Sequence, residues 1–337
     1  MREVLGDCTV PRVSVVTPAY NAAAFVRETI DYVRSQTFED WELLVVDDGS
    51  TDNTAAIVEE YAKRDVRIRL LRQRNMGPSA ARNRAMRAAR GAFFAFLDSD
   101  DQWHPEFLAS QLEVFAHYPD TALVTTNAYY LGGPCAGQPR RALVDGHPVL
   151  TLENIIENDS AVFIMTVFRR EVFECVGGLD ESQWTSEDYD FWIRAALAGF
   201  VFRVNSRPLA LYRRRPGSLS DDNARMLKGI LHTYSKARAA CPPGSAARRG
   251  LEAQVARFER ELLLVEAKQA LDRHDYVTAS DRLKAVHSRG GGVLIGLAAW
   301  LARHAPLAAL LAYRVRGLRH RPRALFDMRR PDHMECR

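Results

Sequence analysis

Phe93-Phe94-Ala95-Phe96-Leu97-Asp98-Ser99-Asp100-Asp101 sets an apolar run directly against an acidic one. A short apolar run of this kind reads as a strand covered on both faces, as parallel sheets require. Upstream, Val13 to Thr17, Glu42 to Val46 and Val66 to Leu71 are further strand-like runs. Helical patterns separate them: Phe25, Thr29, Ile30 and Val33 on one face, Ile57, Val58 and Tyr61 on another, then Ser79 to Arg90. Strands alternating with helices of this length predict βαβ units, hence an α/β fold with a mixed, mainly parallel sheet flanked by helices.

Polar clusters follow three of these strands: Pro18-Ala19-Tyr20-Asn21, Asp47-Asp48-Gly49-Ser50 and Asp98 to Asp101. Open α/β sheets bind ligands at that edge. Carboxylates there suit a hard ion such as Mg²⁺ or Mn²⁺ sharing phosphate oxygens, while acids after a strand also commonly cap a turn. Packed together without a cation, they would repel one another. Asp47 and Asp48 can accept hydrogen bonds from a base or ribose, or cap the next helix. Residues 75–83 form a turn leading into a helix N-terminus, which favours an anion. Arg82 in that helix either faces such a ligand or is solvated like Arg84, Arg87 and Arg90.

The bulk numbers limit the alternatives. A chain of 337 residues exceeds a usual single domain, so one large domain plus an appendage is expected. Hydrophobic residues at 47% and charged residues at 26% are ordinary for a soluble protein, and a net charge of +4 does not argue for nucleic acid. Five scattered cysteines lack metal or redox spacing, which suggests reduced thiols in the cytoplasm. Met1 to Val10 carries acids and no apolar run, so no secretory signal is expected.

The Gly- and Pro-rich stretch from Gly132 to Pro148 reads as a surface loop. Apolar runs at Ala161 to Phe168 and Phe200 to Val204 flank a helical stretch, Glu187 to Ala198. Residues 1–220 are therefore assigned to the α/β domain. Residues 221–290 read as a helical extension, with a hairpin from Leu251 to Val286 that turns near Asp275-Tyr276 and resembles one tetratricopeptide unit. In residues 291–337, the apolar run Val293 to Tyr313 is broken by Arg303, His304 and Pro306, so neither piece reaches the roughly 20 residues of a spanning helix. Arg314, Arg316, Arg319, Arg321, Arg323, Arg329 and Arg330 follow. An apolar helix with a polybasic tail fits the interface of an anionic membrane; a core helix pair with a solvated end is the other reading.

The series Val15 to Asn21, Val46 to Asp52, Gly77 to Asn83 and Leu97 to Asp101 resembles, in order and spacing, the inverting family-two glycosyltransferases of GT-A fold. The resemblance covers residues 11–220. It implies a nucleotide-diphospho-sugar donor bound by Pro18, Ala19, Tyr20, Asp47, Asp48, Arg82, Asp98 and Ser99, with Asp98, Asp100 and Asp101 at the Mn²⁺ or Mg²⁺. It also places the catalytic base in the Glu187-Asp188 pair, on Asp188. The local reading of that pair is milder: acids in a first helical turn offset the dipole, and Thr185 with Asp188 fits a capping box. Trp184 and Trp192 either stack on a sugar or pack in the core, the core being expected for Trp192.

Tyr212 to Ser220 resembles the family's closing loop over the diphosphate. Arg215 stands where many members carry histidine. Arginine is no metal ligand but offers a forked, permanent charge to phosphate; a solvated basic loop is the alternative. The implied activity is sugar transfer to a hydroxyl of a glycan or lipid-linked glycan, in cell-surface polysaccharide or glycolipid assembly, at the inner face of the cell membrane. Two competing readings are a non-catalytic nucleotide-sugar-binding scaffold and a nucleotidyltransferase. The latter would open with a Gly- and Lys/Arg-rich phosphate loop, where this chain has Pro18-Ala19-Tyr20-Asn21.

Overall fold

The computed structural model describes residues 10–215, 218 and 222–308. The arginine-rich stretch from Arg314, together with Pro216, Gly217, Leu219 and Ser220 of the expected closing loop, lies outside the described residues. Contacts divide the chain into two compact units, the first running to Pro216 and the second beginning at Gly217.

The first unit alternates strands and helices: β1 (Val13–Ala19), α1 (Val26–Arg34), β2 (Trp41–Asp47), α2 (Thr54–Arg64), β3 (Ile68–Arg72), α3 (Pro78–Ala88) and β4 (Phe93–Phe96). β5 (Gln102–Trp103), α4 (Phe107–His117), β6 (Thr121–Leu131), β7 (Val149–Leu150), α5 (Leu152–Glu157), β8 (Thr166–Arg169), α6 (Arg170–Val176), α7 (Glu187–Leu197) and β9 (Val201–Arg213) complete it. The strands lie in the order β3-β2-β1-β4-β8-β6-β9-β5, with β7 beside β9. β1 is parallel to β2 and β4, and β2 to β3. β8 runs antiparallel between β4 and β6, and β9 is parallel to β6. Two reversals restore the direction, so β1, β2, β4, β6 and β9 all end at one edge.

Helices on both faces explain the mostly apolar character of the first strands: β2 is buried at every position and β1 at all but Pro18, and the buried Glu42 is paired by the Ser14 hydroxyl, Arg69 and Arg90. α1 turns Thr29, Ile30 and Val33 inward as expected from their spacing, whereas Phe25 is the partly buried residue ahead of the helix and Val26 takes the inward place instead. Phe94, Phe96, Phe168, Phe191 and Trp192 pack ring against ring, and Trp192 is fully buried.

Two expectations change. The apolar run from Ala161 is a strand only from Thr166, because Thr125 Oγ1 instead accepts the Phe163 N–H at 2.9 Å. β6 and α4 have no counterpart in the sequence reading. β6 buries Thr121, Thr125, Thr126 and Asn127, whose polarity breaks the apolar run that marks the other central strands.

The second unit holds α8 (Asn223–Ala240), α9 (Ala246–Asp272), α10 (Tyr276–Ser288) and α11 (Val293–His304). α9 and α10 form a hairpin across residues 273–275, where the Asp275 carboxylate caps α10 by accepting the Thr278 N–H at 3.1 Å. Ala267, Ala270, Leu271, Ala279 and Leu283 pack there with Ala299 and Ala302 of α11. Among the described residues no helix is long and apolar enough to cross a membrane.

Candidate active site

The acidic run turns sharply after β4. Asp101 donates its N–H to the Asp98 carbonyl at 3.1 Å, and the Thr29 hydroxyl bridges the carbonyls of Ser99 and Asp101, both at 3.0 Å. The carboxylates then part. Asp98 Oδ1 accepts from Arg82 Nη2 at 2.5 Å, Asp100 Oδ2 from Arg215 Nε at 2.8 Å, and Asp101 Oδ1 from the Arg213 N–H at 2.8 Å. Arg213 also donates Nε to the Asp100 carbonyl at 2.8 Å and pairs with Glu28 at 2.6 Å. Asp101 is buried, and its Oδ2 has no hydrogen-bond partner among the described residues.

Burial, then the neighbouring carboxylates Asp100 and Asp98, hold the Asp101 carboxyl well above its ordinary range. Burial and Asp98 also raise Asp100, against the pull of Arg215. Among the described residues no three acidic, histidine or cysteine side chains meet around one metal-sized point. Three different donors draw these acids apart.

Arg82 joins the two halves of the site. It is only 3% exposed, unlike Arg84, Arg87 and Arg90 on the same stretch, so the solvated reading does not hold for it. Nη1 donates to Glu187 Oε1 and Nη2 to Asp98 Oδ1, each at 2.5 Å, while the guanidinium lies 5.6 Å from the Phe96 ring centre. Burial alone would weaken its hold on the proton, but Asp98, Glu187 and Asp188 together outweigh burial and raise its pKa.

The segment before α7 is stitched to α3. Asn83 donates Nδ2 to the Leu179 carbonyl and accepts the Leu179 N–H, both at 2.8 Å. Ser79 Oγ donates to the Gln183 carbonyl at 2.8 Å, and Gln183 Nε2 holds the carbonyls of Thr185 and Ser186 at 3.0 Å. Helix α7 starts from Ser186, left-handed at φ 58°, with no side-chain capping bond from it. The helix thus begins one residue later than a Thr185–Asp188 capping box requires. Burial raises the Asp188 carboxyl, Arg82 opposing, and pushes Glu187 up to about 7, again against Arg82. Trp184 is half exposed and its ring sits over Gly77, 3.5 Å from where a Cβ would stand.

At the end of β1, Ala19 is buried, Pro18 partly so, and Tyr20 is 49% exposed. Asp48 Oδ1 accepts from Gln73 Nε2 at 2.7 Å and the Met76 N–H at 2.9 Å, and Oδ2 from the Gly77 N–H at 2.9 Å. Asp48 therefore itself takes the place expected for an anion ahead of α3. Asp47 Oδ1 accepts the Ser50 N–H at 3.3 Å, the turn-capping geometry. Sequence reasoning gave no site role to Thr29, Arg213, Asn83 or Gln183, reading Thr29 only as part of a helix face and Asn83 only as the end of the Gly77 to Asn83 series. Asn83 carried a signal as part of that series, and Arg213 as a neighbour of Arg215.

A parallel half-sheet joined to an antiparallel one, with acids gathered at the common edge, defines the GT-A class of nucleotide-sugar transferase folds. Residues 14–177 match Glycosyl transferase family 2. A Bacillus subtilis protein named for teichuronic acid biosynthesis, the glycosyltransferase TuaG, is 31% identical over 226 residues, which are 66% of this chain and 87% of TuaG. Glycosyltransferase GlyG of Streptococcus pneumoniae is 29% identical over 283 residues, 78% of this chain and 89% of GlyG. The chain belongs to glycosyl transferase family 2, whose members transfer with inversion. Two solved structures share the fold. TarS of S. aureus, residues 1–349, superposes with a TM-score of 0.60 at 20% identity, covering 90% of this chain and 91% of that one. The mannosyltransferase PcManGT of Pyrobaculum calidifontis, in complex with GDP-Man and Mn²⁺, does so with a TM-score of 0.57 at 21% identity, covering 92% and 88%.

Proposed function

We propose that this glycosyltransferase moves a sugar from a nucleotide-diphospho-sugar to a hydroxyl acceptor, with Asp188 as the base. One observation carries the reading: Arg82 ties Asp98, on the donor edge, to Glu187, beside the candidate base. The acceptor hydroxyl oxygen bonds to the anomeric carbon, and the bond from that carbon to the diphosphate breaks with its electron pair. The hydroxyl proton passes to Asp188, whose burial raises its affinity for it. TarS in complex with UDP-GlcNAc and PcManGT with GDP-Man support this donor class.

The residues suit Mg²⁺ or Mn²⁺. Among the described residues, Asp98 and Asp100 each commit one oxygen to an arginine and leave the other without a side-chain partner, and Asp101 Oδ2 has none. That oxygen-only set fits an ion held by one or two carboxylates and completed by donor phosphates. When bound, such an ion would supply positive charge for the departing diphosphate, and no general acid would then be needed. Arg215, beside Asp100, adds fixed positive charge there. Pro18, Ala19, Tyr20, Asp47 and Ser99 surround the nucleotide and sugar, with Asp48 shaping the wall behind them.

TuaG is named for teichuronic acid biosynthesis and RfbC of Myxococcus xanthus for O-antigen biosynthesis, which supports reading the acceptor as a glycan or lipid-linked glycan in cell-surface assembly. The exposed apolar residues of α11 and the arginines after it suit peripheral attachment to an anionic membrane. The deciding experiment is a panel of nucleotide sugars tested for binding and slow hydrolysis with and without divalent ions. Ion-dependent turnover of one donor is expected; no binding of any donor, with either ion, would remove the reading.

A further inference from the structure

Arg140 and Arg141 lie between β6 and β7, on a stretch that folds back along β6. Gly137 donates its N–H to the Tyr130 carbonyl at 2.9 Å, Tyr130 to the Gln138 carbonyl at 3.0 Å, and Arg140 to the Ala128 carbonyl at 2.7 Å. Asn127 then clasps the next residue, accepting the Arg141 N–H at 3.2 Å and donating Nδ2 to its carbonyl at 2.8 Å. The stretch fills the lane beside β6 that β8, paired only with Leu123 to Thr125, leaves open. Both arginines are therefore held by backbone pairing.

Neither guanidinium meets a carboxylate among the described residues. Arg141 gives Nη1 to the carbonyls of Ser160 and Ala161, at 3.1 and 2.5 Å, and Nη2 to the Thr126 carbonyl at 3.3 Å. Arg140 reaches the Ser160 carbonyl at 3.5 Å and lies 4.4 Å from the Phe163 ring centre. Carbonyls orient a guanidinium but do not neutralise it. Arg82, the other inward-turned arginine discussed above, has two carboxylates. Here burial, then the adjacent Arg140, lower the Arg141 pKa to about 9. Both side chains are only partly buried and so stay within reach of a ligand, and two adjacent like charges repel unless an anion joins them.

Two chains of contacts link the pair to the elements that carry Asp188 and Asp101. Its carbonyl ligands Ser160 and Ala161 follow α5, whose Ile155 carbonyl accepts the Tyr189 hydroxyl at 2.8 Å, one residue past Asp188. Phe163, beneath Arg140, meets Tyr212 edge-on at 5.4 Å, one residue before the Arg213 N–H that holds Asp101. We propose that Arg140 and Arg141 form an oxyanion subsite, selecting a sugar acceptor that carries a carboxylate or phosphate over its neutral counterpart. This rests on the glycosyl-transfer reading and deepens it by naming an acceptor class. Charge-assisted, forked hydrogen bonds to such an oxyanion supply the selection.

Calorimetric titration of the full chain with glucose, glucuronic acid and glucose 6-phosphate tests this. At least one anionic sugar binds about tenfold or more tightly than glucose, as expected for a hydrogen bond to a charged group. Carboxylate and phosphate arms separate the two sources of the oxyanion. Arg140→Ala abolishes the preference and Arg140→Lys keeps part of it. Arg141→Gln gives the same loss, and the anionic-to-neutral ratio is insensitive to any unfolded fraction. Equal binding of charged and neutral sugars, no binding of either anion, or a preference that survives Arg140→Ala overturns the subsite. Nucleotide-sugar titration of the same samples keeps the two ideas apart. Donor binding without anion preference removes the subsite alone, whereas absence of donor binding removes the transfer reading.

Discussion

Arg82 and Glu187 are 105 positions apart in the chain, yet guanidinium and carboxylate lie 2.5 Å apart in the fold. With the second contact to Asp98, this pair fixes α7 against the acidic turn after β4. Removing one partner of a buried ion pair strands the other. Arg82→Ala is expected to cost about 3–5 kcal/mol of stability, read from urea unfolding. Arg82→Lys is expected to restore part of that stability but little activity, because a single ammonium cannot fork to two carboxylates. Unfolding of the alanine variant at the wild-type urea concentration would show that the pair carries no stability.

Glu187 responds to pH in the opposite sense from a surface carboxylate. Its pKa is raised from 4.5 unfolded to about 7 folded, by burial that outweighs Arg82. The folded state therefore binds the extra proton between those values, and the contribution of Glu187 to stability falls as pH rises through that window. Glu187→Gln cannot titrate. The unfolding midpoint of wild type relative to Glu187→Gln is expected to drop from pH 4.5 to pH 8. A constant or rising difference would mean that Arg82 dominates.

Asp188 must be ionised to take a proton, and burial raises its pKa above the ordinary 3.8. Activity is expected to fall with decreasing pH at a higher pH than an exposed aspartate would give, on the acid limb of kcat/KM. Asp188→Asn is expected to lower kcat about 10²- to 10⁴-fold while donor binding persists. Unchanged transfer would move the base elsewhere.

These arguments draw unevenly on the sequence. β1, β2 and β4 were legible because both faces are covered and each carries a run of consecutive apolar residues, with few polar positions such as Ser14 and Glu42. Asp98 to Asp101 was legible because it follows such a strand without a gap. β6 was not, since Thr125, Thr126 and Asn127 are satisfied by Phe163, Arg207 and Arg141, partners a local window cannot see. Arg82 left two readings open for the same reason. Its burial depends on Glu187, far along the chain. Asp48 illustrates a third case: the right residue at the right edge, but with its carboxylate turned to the backbone of residues 76 and 77.

Gly49 shows how tightly that loop is drawn. It sits at φ 76°, and a Cβ there would lie 2.8 Å from the Asn75 backbone nitrogen. Gly49→Ala therefore meets both a disfavoured left-handed backbone and a backbone collision. A loss of about 1–3 kcal/mol is expected, with weaker nucleotide binding because Asp48 and the 73–77 loop shift together. A variant of wild-type thermal midpoint and donor affinity would show that the loop yields freely.

The outer face of α11 gives the membrane reading a direct test. Leu297 and Trp300 are 51% and 54% exposed, while Ala299 and Ala302 turn inward among α9 and α10. Leu297→Ser with Trp300→Ser therefore alters the outer face without opening the helical core. Each large apolar side chain is worth about 1.5–3 kcal/mol on full burial, and each nearby arginine about 1 kcal/mol at an anionic surface. Wild-type protein is expected to sediment with anionic vesicles and not with zwitterionic ones, and to be released by salt as the charge is screened. The double variant is expected to partition at least tenfold less at equal salt. Equal partitioning of the two proteins would mean that this face does not enter the lipid interface.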